Sequence, residues 1–459
     1  MSDWMVTQSS SSGRRPRALS PLREHLRDTF WFAPTAAMVG VFVVWVGAEA
    51  LDTAIVDSLQ RDRDYETLDE LLRFAQDAKA VVSAVGSAMM TFIGVVFSIS
   101  LVAVQMASGQ FTPRVVRLFV RSRITKATFA VFLATFVLTL LVLTSFDTAD
   151  DPRSVTTVPL VQSVLTLCMV GLSLLLFVLY VNATLRLMRI SHVIARIASE
   201  SFRVPASMPV PVGGQEAVPV GGREAVPVGG REAPGHGTET GWVPHDGRAG
   251  VLRDVHIARL VRVARKHGVV LRLIPRIGDF VVPGMPVLAV HGGPVPPRRV
   301  LRYAISVGVE RTYHQDLAFG LRQLADIALR ALSPAINDPT TAVQALDRVV
   351  QFLAALSRRP LDAALHRDRA GAVRLVQPVP DWTELVDLGF TEVRGCAVGS
   401  PQVSRRMLAG LDDLLLLAPP ERREPLLRHR ELLRQAVGLA APTASDRDFA
   451  LRPDRQGIG

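Results

Sequence analysis

The residues with the clearest chemical potential form one polar face in the second of four apolar runs. Serine, threonine, glycine and glutamine recur there at helical spacing, and at 100° per residue they fall within about 80° of one another. In a pore, such hydroxyl and amide groups replace water around an ion. Close packing against a neighbouring helix is the alternative that we favour, and an oligomer could use the face in both ways. This polar face consists of Ser83, Ser87, Thr91, Gly94, Ser98 and Gln105.

A second set of polar side chains, late in the chain, has the spacing of one helix face. Its guanidinium groups could bind an anion such as a phosphate group. We favour an ion-paired face, because its last three members are each four residues apart. The set consists of Arg311, Gln315, Arg322, Asp326 and Arg330.

Hydrolytic chemistry has little support in the sequence. His314 lies near Asp316, and Asn337 lies next to Asp338, but no nucleophile elbow, P-loop or HExxH motif accompanies them. Ser333 and Asp338 each precede a proline, so both are predicted to cap the start of a helix. We therefore expect no enzymatic activity.

Four apolar runs must position the polar face. We predict membrane-spanning helices over residues 30–51, 80–107, 127–146 and 158–183, because about 20 apolar residues cross a bilayer as a helix. Their flanking segments alternate between basic and acidic, and Lys and Arg mark the cytoplasmic side. This pattern predicts both termini in the cytoplasm and an acidic, solvated outer loop between the first two spans. Part of that loop could form a short amphipathic helix, because Leu68, Leu71, Leu72 and Ala75 recur at helical spacing. No ionisable residue lies deep in these spans, which argues against a proton-driven transporter.

A basic segment without acidic residues follows the second span. It is predicted either to lie flat on the inner membrane surface as a helix, or simply to set the topology as a loop. This inner-face basic collar contains Arg114, Arg117, Arg121 and Arg123.

Composition divides the rest of the chain into segments. The octapeptide VPVGGQEA at Val210 recurs as VPVGGREA at Val218 and Val226, which is typical of a flexible linker. The predicted order is a disordered basic N-terminus (1–29), a four-span region (30–203), a linker (204–249), a mixed α/β cytoplasmic domain (250–438) and a flexible tail (439–459). The predicted fold class is therefore an all-α four-helix transmembrane region plus a mixed α/β cytoplasmic domain.

Charge and cysteine content limit the possible partners. The net charge is +10, but much of the excess lies beside the apolar runs, where membrane orientation accounts for it, so no nucleic-acid partner is expected. Cys168 and Cys396 permit no disulfide framework and no CxxC metal site. We expect neither a metal nor a cofactor.

Two long blocks resemble a known family. They are SISLVAVQMASGQFTPRVVRLFVRSR (Ser98–Arg123) and ERTYHQDLAFGLRQLADIALRALSPAINDPTTAVQALDR (Glu310–Arg348). Both are similar to the bacterial family of predicted membrane proteins called domain of unknown function 2254. The resemblance covers roughly Phe30–Leu417 apart from the repeats. It implies a bacterial membrane setting and carries no established activity.

Together these observations give two functional hypotheses. The first is a homo-oligomeric, channel-like protein of the bacterial cytoplasmic membrane that conducts ions and is regulated by its cytoplasmic domain. The alternative is a membrane-tethered sensor or scaffold, whose cytoplasmic domain binds an anion or a partner protein. The lipid bilayer and further copies of the chain are the expected partners.

Overall fold

The computed structural model describes residues 31–110, 122–146, 157–207, 239–301, 303–361 and 363–456. These residues form two compact units, and the chain passes from the first to the second between Val193 and Ile194. The predicted N-terminal segment, the octapeptide repeats and the collar residues Arg114, Arg117 and Arg121 lie outside the described residues.

The first unit contains four long helices in its described part. They are α1 (Phe32–Arg61), α2 (Tyr65–Gln110), α3 (Arg123–Thr144) and α4 (Leu160–Met188). By length and composition, all four are able to cross a membrane. Four apolar helices in the first part of the chain are therefore confirmed.

A seven-residue repeat of buried side chains fixes how α2 packs. The repeat keeps one side of a helix against its neighbours, as in coiled coils and four-helix bundles. α3 is the most enclosed helix of the bundle, with nine of its 22 residues buried. The repeat consists of Leu68, Ala75, Val82, Met89, Val96 and Ala103, and Gly86 is buried as well.

The acidic stretch between the first two predicted spans is not a loop. α1 continues to Arg61 and α2 begins at Tyr65, so the two helices are much longer than predicted. α2 has 46 residues and is therefore about 69 Å long, twice the thickness of a bilayer core. Packing explains the difference, because Val56 and Leu68 are buried in a shared apolar cluster. The acidic side chains occupy mainly the exposed side of these helices.

The second unit contains two β-sheets. The larger, mixed sheet has the strand order β1-β5-β3-β8-β7, and only β3 and β8 are parallel within it; the smaller sheet has the antiparallel order β4-β2-β6. The strands are β1 (Glu239–Pro244), β2 (Gly250–Val255), β3 (Val270–Leu273), β4 (Phe280–Val281), β5 (Pro286–His291), β6 (Ile305–Gly308), β7 (Ala364–Arg367) and β8 (Val373–Gln377).

Helices complete the second unit. α9 packs against α10 and α11, and α12 packs against α10, α13 and α14. The helices are α5 (Ile190–Ser201), α6 (Arg203–Ser207), α7 (Ile257–His267), α8 (Arg298–Leu301), α9 (Leu317–Ala331), α10 (Pro339–Leu356), α11 (Trp382–Ala397), α12 (Pro401–Leu417), α13 (Glu424–Ala440) and α14 (Ala444–Ala450).

The second unit starts earlier in the chain than composition indicated. The end of α5 packs against α9, where Ser201 lies so close to Gly320 that a larger residue would overlap it. Phe202 packs on Phe352 with 5.7 Å between the ring centroids. Strand β1, within the predicted linker 204–249, pairs with β5. Apolar and backbone contacts therefore recruit the end of the predicted four-span region and the last part of the predicted linker into the fold.

The predicted flexible tail is folded in its described part. α13 runs through the predicted boundary to Ala440, and α14 follows it. Arg405 binds the segment that follows α14. Its Nε donates to the Arg452 carbonyl at 3.1 Å, and its guanidinium pairs with Asp454 at 3.1 Å. Its guanidinium carbon also lies 4.3 Å from the ring centroid of Phe449. A buried arginine thus orders a segment that composition alone marks as loose.

Candidate functional site

All six residues of the polar face lie on the exposed side of α2. At 100° per residue, the centre of the face lies about 160° from the buried line through Val82, Met89 and Val96. The described helices of the bundle therefore leave the polar face uncovered. Of the two predicted roles, close packing would require a surface other than these helices.

Two of the four hydroxyl groups of the face are bonded within their own helix. Ser87 Oγ donates to the Ser83 carbonyl at 3.3 Å, and Thr91 Oγ1 donates to the Ser87 carbonyl at 3.5 Å. The Gln105 amide bonds to none of the described residues. A Cβ placed on Gly94 would meet no atom within 4 Å. The centre of the face is thus open, and one of its ends is an exposed primary amide.

A buried carboxylate that the sequence analysis did not single out joins α1 to α4. Asp52 is fully buried and lies one residue beyond the predicted first span. The Val161 amide donates to its Oδ1 at 2.7 Å, and the Gln162 amide donates to its Oδ2 at 3.3 Å. Asp52 therefore caps the first turn of α4 from another helix, and its charge lies where the amide dipoles favour it. The sequence signal that could have revealed this cap is a carboxylate directly after an apolar run.

The interior of the bundle is also more polar than predicted. Thr135 Oγ1 lies 3.1 Å from Ser173 Oγ, which links α3 to α4, and both side chains are buried. Thr139 Oγ1 donates to the Thr135 carbonyl at 2.7 Å. Polar residues at helical spacing in the third and fourth spans could have indicated this seam. Its other buried members are Thr128, Gln162, Ser163 and Thr166.

The predicted soluble polar set does not lie on one helix face. α9 begins at Leu317, so Arg311 and Gln315 belong to the preceding loop. Asp316 caps α9 by accepting from the Phe319 amide at 3.0 Å, and Arg311 donates to both of its oxygens at 2.7 and 2.8 Å. The predicted helix face therefore began about one turn too early, because periodicity alone does not reveal the cap residue at which a helix starts.

Other members of this set form ion pairs or hydrogen bonds to the backbone. Arg322 Nε donates to Asp326 at 2.7 Å, and its two terminal nitrogens donate to Glu392 at 2.9 and 2.8 Å. The Gln315 side chain bonds to both the amide and the carbonyl of Val255, at 3.1 and 3.0 Å. Arg330 lies one turn beyond Asp326 on α9. These contacts match the ion-paired interpretation, since the fork of Arg322 is already filled by carboxylates.

The remaining polar residues take structural positions. His314 and Asp316 form no dyad, because Asp316 is bonded to Arg311 and to the α9 backbone. Asp338 caps α10 as predicted, accepting from the Thr341 amide at 3.0 Å. Ser333 starts no helix: its hydroxyl donates to the Arg330 carbonyl at 2.7 Å and closes α9 instead. Within the described ranges, no three His, Cys, Asp or Glu residues could hold a metal ion together.

One buried histidine is held between opposite charges. His429 Nδ1 lies 3.0 Å from Arg394 Nη1, and its Nε2 lies 2.8 Å from Asp387 Oδ1. Because an arginine can only donate, Nδ1 accepts and the proton resides on Nε2, facing the carboxylate. Burial lowers the pKa of His429 below its ordinary value, and the arginine neighbours act in the same direction. The imidazole is therefore neutral and fixed in one tautomer.

Comparison with known proteins adds to this description. The family model described as "Predicted membrane protein (DUF2254)" matches residues 27–413. The chain is 27% identical to the uncharacterized protein Mb1321c of Mycobacterium bovis and to the uncharacterized protein Rv1290c of Mycobacterium tuberculosis strain H37Rv. Each alignment covers 98% of this chain and 82% of the relative. No solved structure matches the chain. With four membrane-length helices and a family match over most of its length, the chain belongs to the DUF2254 family of predicted membrane proteins.

Proposed function

We propose that several copies of the protein assemble around their polar faces into an ion-conducting channel of the bacterial cytoplasmic membrane. In this proposal α1 to α4 cross the bilayer, both termini lie in the cytoplasm, and the second unit regulates the assembly. The observation that carries the proposal is the exposure of every residue of the polar face on the isolated protomer.

Exposure matters because lipid tails offer no hydrogen-bond partner. Ser87 and Thr91 bond to carbonyls of their own helix, which makes an outward position tolerable but leaves their acceptor capacity unused. Gln105 has two amide donors and no partner among the described residues. Water or a second protein surface would satisfy these groups, and a water-filled path between copies supplies both.

The surroundings of the face favour further copies of the chain as its cover. Large apolar residues flank it on both sides, among them Phe97 and Val95, which are 60% and 44% exposed. Gly94 at its centre permits close approach of another backbone, as small residues do where membrane helices meet. A polar centre with apolar flanks suits a ring of helices around an aqueous axis.

Ion flux from liposomes tests the proposal. Vesicles that contain the purified protein should release ions, and Gly94→Leu should reduce the release to that of protein-free vesicles because it fills the axis. Gly171→Leu on α4 is the matched control, since Gly171 is also exposed and a Cβ there meets no atom within 4 Å. Its flux should equal that of the original protein.

Two results would end the proposal. One is the absence of cation and anion leakage under all conditions tried, while native mass spectrometry reports a folded protein. The other is an equal effect of the two glycine substitutions, which would show that leucine acts by disturbing the lipid-facing surface in general.

The competing function, a membrane-tethered sensor or scaffold, predicts a different pattern. Arg322→Ala or Arg330→Ala should then abolish recovery of a partner protein, while Gly94→Leu should have no effect. The ion pairs of Arg322 with Asp326 and Glu392 make that surface less available to a partner. The channel is therefore the better supported of the two.

A further inference from the structure

Helix α7, in the second unit, carries charges of one sign only. It contains Arg259, Arg262, Arg265 and Lys266 and no acidic residue. Its apolar side, with Leu260, is buried in the core formed with the sheets. Packing therefore fixes the helix so that Arg262, Arg265 and Lys266 all lie on its exposed side.

These cations have no counter-charge in the described part of the protein. The side chains of Arg262, Arg265 and Lys266 make no ion pair or hydrogen bond there, and neither does that of the exposed Arg299 on α8. Other arginines of the unit, such as Arg322, are paired with carboxylates. The helix dipole explains cations in the last turn of α7, but it explains neither Arg262 nor Arg299.

The neighbouring α8 region extends the cationic surface and adds an aromatic ring. Arg259 Nε donates to the Val300 carbonyl at 3.1 Å, which ties α7 to α8. The guanidinium carbon of Arg259 lies 5.7 Å from the ring centroid of Tyr303, and Tyr303 is 70% exposed. We call the surface made by Arg262, Arg265, Lys266, Arg299 and Tyr303 the α7 basic face.

We propose that the α7 basic face binds the phosphate headgroups of an anionic lipid surface. Arginine and lysine beside an exposed tyrosine match the chemistry of the headgroup layer, where basic side chains meet phosphates and aromatic rings occupy the interface. The chain belongs to a family of predicted membrane proteins, so a bilayer is the polyanion always close to it. This proposal rests on the membrane location alone and not on ion conduction.

Nucleic acid is the alternative polyanion and suits the face less well. Single-stranded nucleic acid is bound by several aromatic side chains along a positive groove. The α7 basic face offers one exposed ring on the side of an 11-residue helix, about 16 Å long. A flat layer of headgroups needs neither a groove nor a series of rings.

A fluorescent label at the face tests the proposal in the full-length protein. Cys168 and Cys396, both exposed, are replaced by alanine, and Ala258→Cys on the exposed side of α7 carries a bimane label. The protein is placed in nanodiscs of phosphatidylcholine with increasing amounts of phosphatidylglycerol. We expect a blue shift of the emission as the anionic fraction rises, and its loss at high salt, because salt screens surface charges.

Charge reversal supplies the matched comparison. Arg262→Glu/Arg265→Glu should abolish the shift or move it to an anionic fraction several-fold higher, because glutamate repels the phosphates that arginine attracts. Arg369→Glu/Arg434→Glu changes the net charge equally, at two arginines that also lack described partners, and should leave the shift unchanged. Equal melting temperatures of the two variants exclude unfolding as the cause.

Any of three results would overturn the proposal. The first is an emission that does not change at any phosphatidylglycerol content. The second is an equal loss of the shift in both double variants. The third is a shift produced by short duplex DNA added to phosphatidylcholine nanodiscs but not by phosphatidylglycerol, which would assign the face to nucleic acid.

Discussion

Replacing Asp52 tests whether the buried carboxylate is chiefly a helix cap. Asp52→Ala removes the acceptors of two α4 amides, those of Val161 and Gln162, which lie more than 100 residues away in the chain. The side chain is fully buried, so water cannot easily replace it. The substitution therefore leaves the start of α4 without its cap and α1 without its bonds to α4.

The size of the effect follows from those two bonds. A buried hydrogen-bond donor left without an acceptor costs about 1–3 kcal/mol of stability, and replacing an N-cap residue by alanine costs about 0.5–2 kcal/mol. Because the bond from Val161 is only part-buried, we expect Asp52→Ala to lower the free energy of unfolding by about 2–4 kcal/mol. At about 2–4 °C per kcal/mol for a unit of this size, the Tm should fall by roughly 5–15 °C.

Thermal unfolding of the purified protein in a neutral detergent measures this change. Asp57→Ala is the control: Asp57 is on the same helix but exposed, so its replacement should stay within about 0.5 kcal/mol. Asp52→Asn keeps one acceptor, and because asparagine caps as well as aspartate, it should cost less than about 1 kcal/mol. Equal melting of the Asp52→Ala and Asp57→Ala proteins would refute the capping role. Asp52→Asn as damaging as Asp52→Ala would show that the negative charge itself is required.

Two further predictions concern the second unit. Gly320→Ala should destabilise the protein by about 1–3 kcal/mol, because its Cβ would overlap Ser201, whereas Gly395→Ala in α11, where a Cβ meets no atom within 4 Å, should stabilise it by up to about 1 kcal/mol. Chemical denaturation measures both, and the same sign for the two would contradict the packing of α5 on α9. Burial lowers the pKa of His429 and of His366, so the unfolded chain binds protons first as the pH falls below the ordinary value of 6.5. Stability should be complete above about pH 6.5 and fall below it, and His366→Gln/His429→Gln should flatten that part of the melting profile. An unchanged profile in the double variant would contradict the assignment to these two histidines.

Local signals in the sequence were sufficient for several features. Four apolar runs of membrane length predicted four helices, because crossing a bilayer imposes a length that few other structures require. The Asp338-Pro339 pair predicted the start of α10, since a cap and its first turn involve adjacent residues only. The four-residue spacing of Arg322 and Asp326 predicted their ion pair for the same reason.

Features that depend on distant residues were not accessible in this way. Helical spacing placed the polar face on one side of α2, but only the packing of the bundle decided that this side is exposed. Glu392 completes the contacts of Arg322 from another helix, and no spacing rule relates two residues so far apart. Charge composition marked residues 52–79 as a loop, whereas the buried Val56 and Leu68 hold them in helices.

The sequence by itself determined that this protein carries four apolar helices, a later domain of helices and strands, and a polar face on the second helix. Composition, periodicity and capping act within one or two helical turns, so the chain reveals them without its fold. Tertiary structure alone decided that the polar face points out of the bundle, that Asp52 is buried against α4 and that the side chains of Arg262, Arg265 and Lys266 stay unpaired among the described residues. Each of these outcomes depends on which distant surfaces meet, because burial and charge pairing are properties of the packed chain.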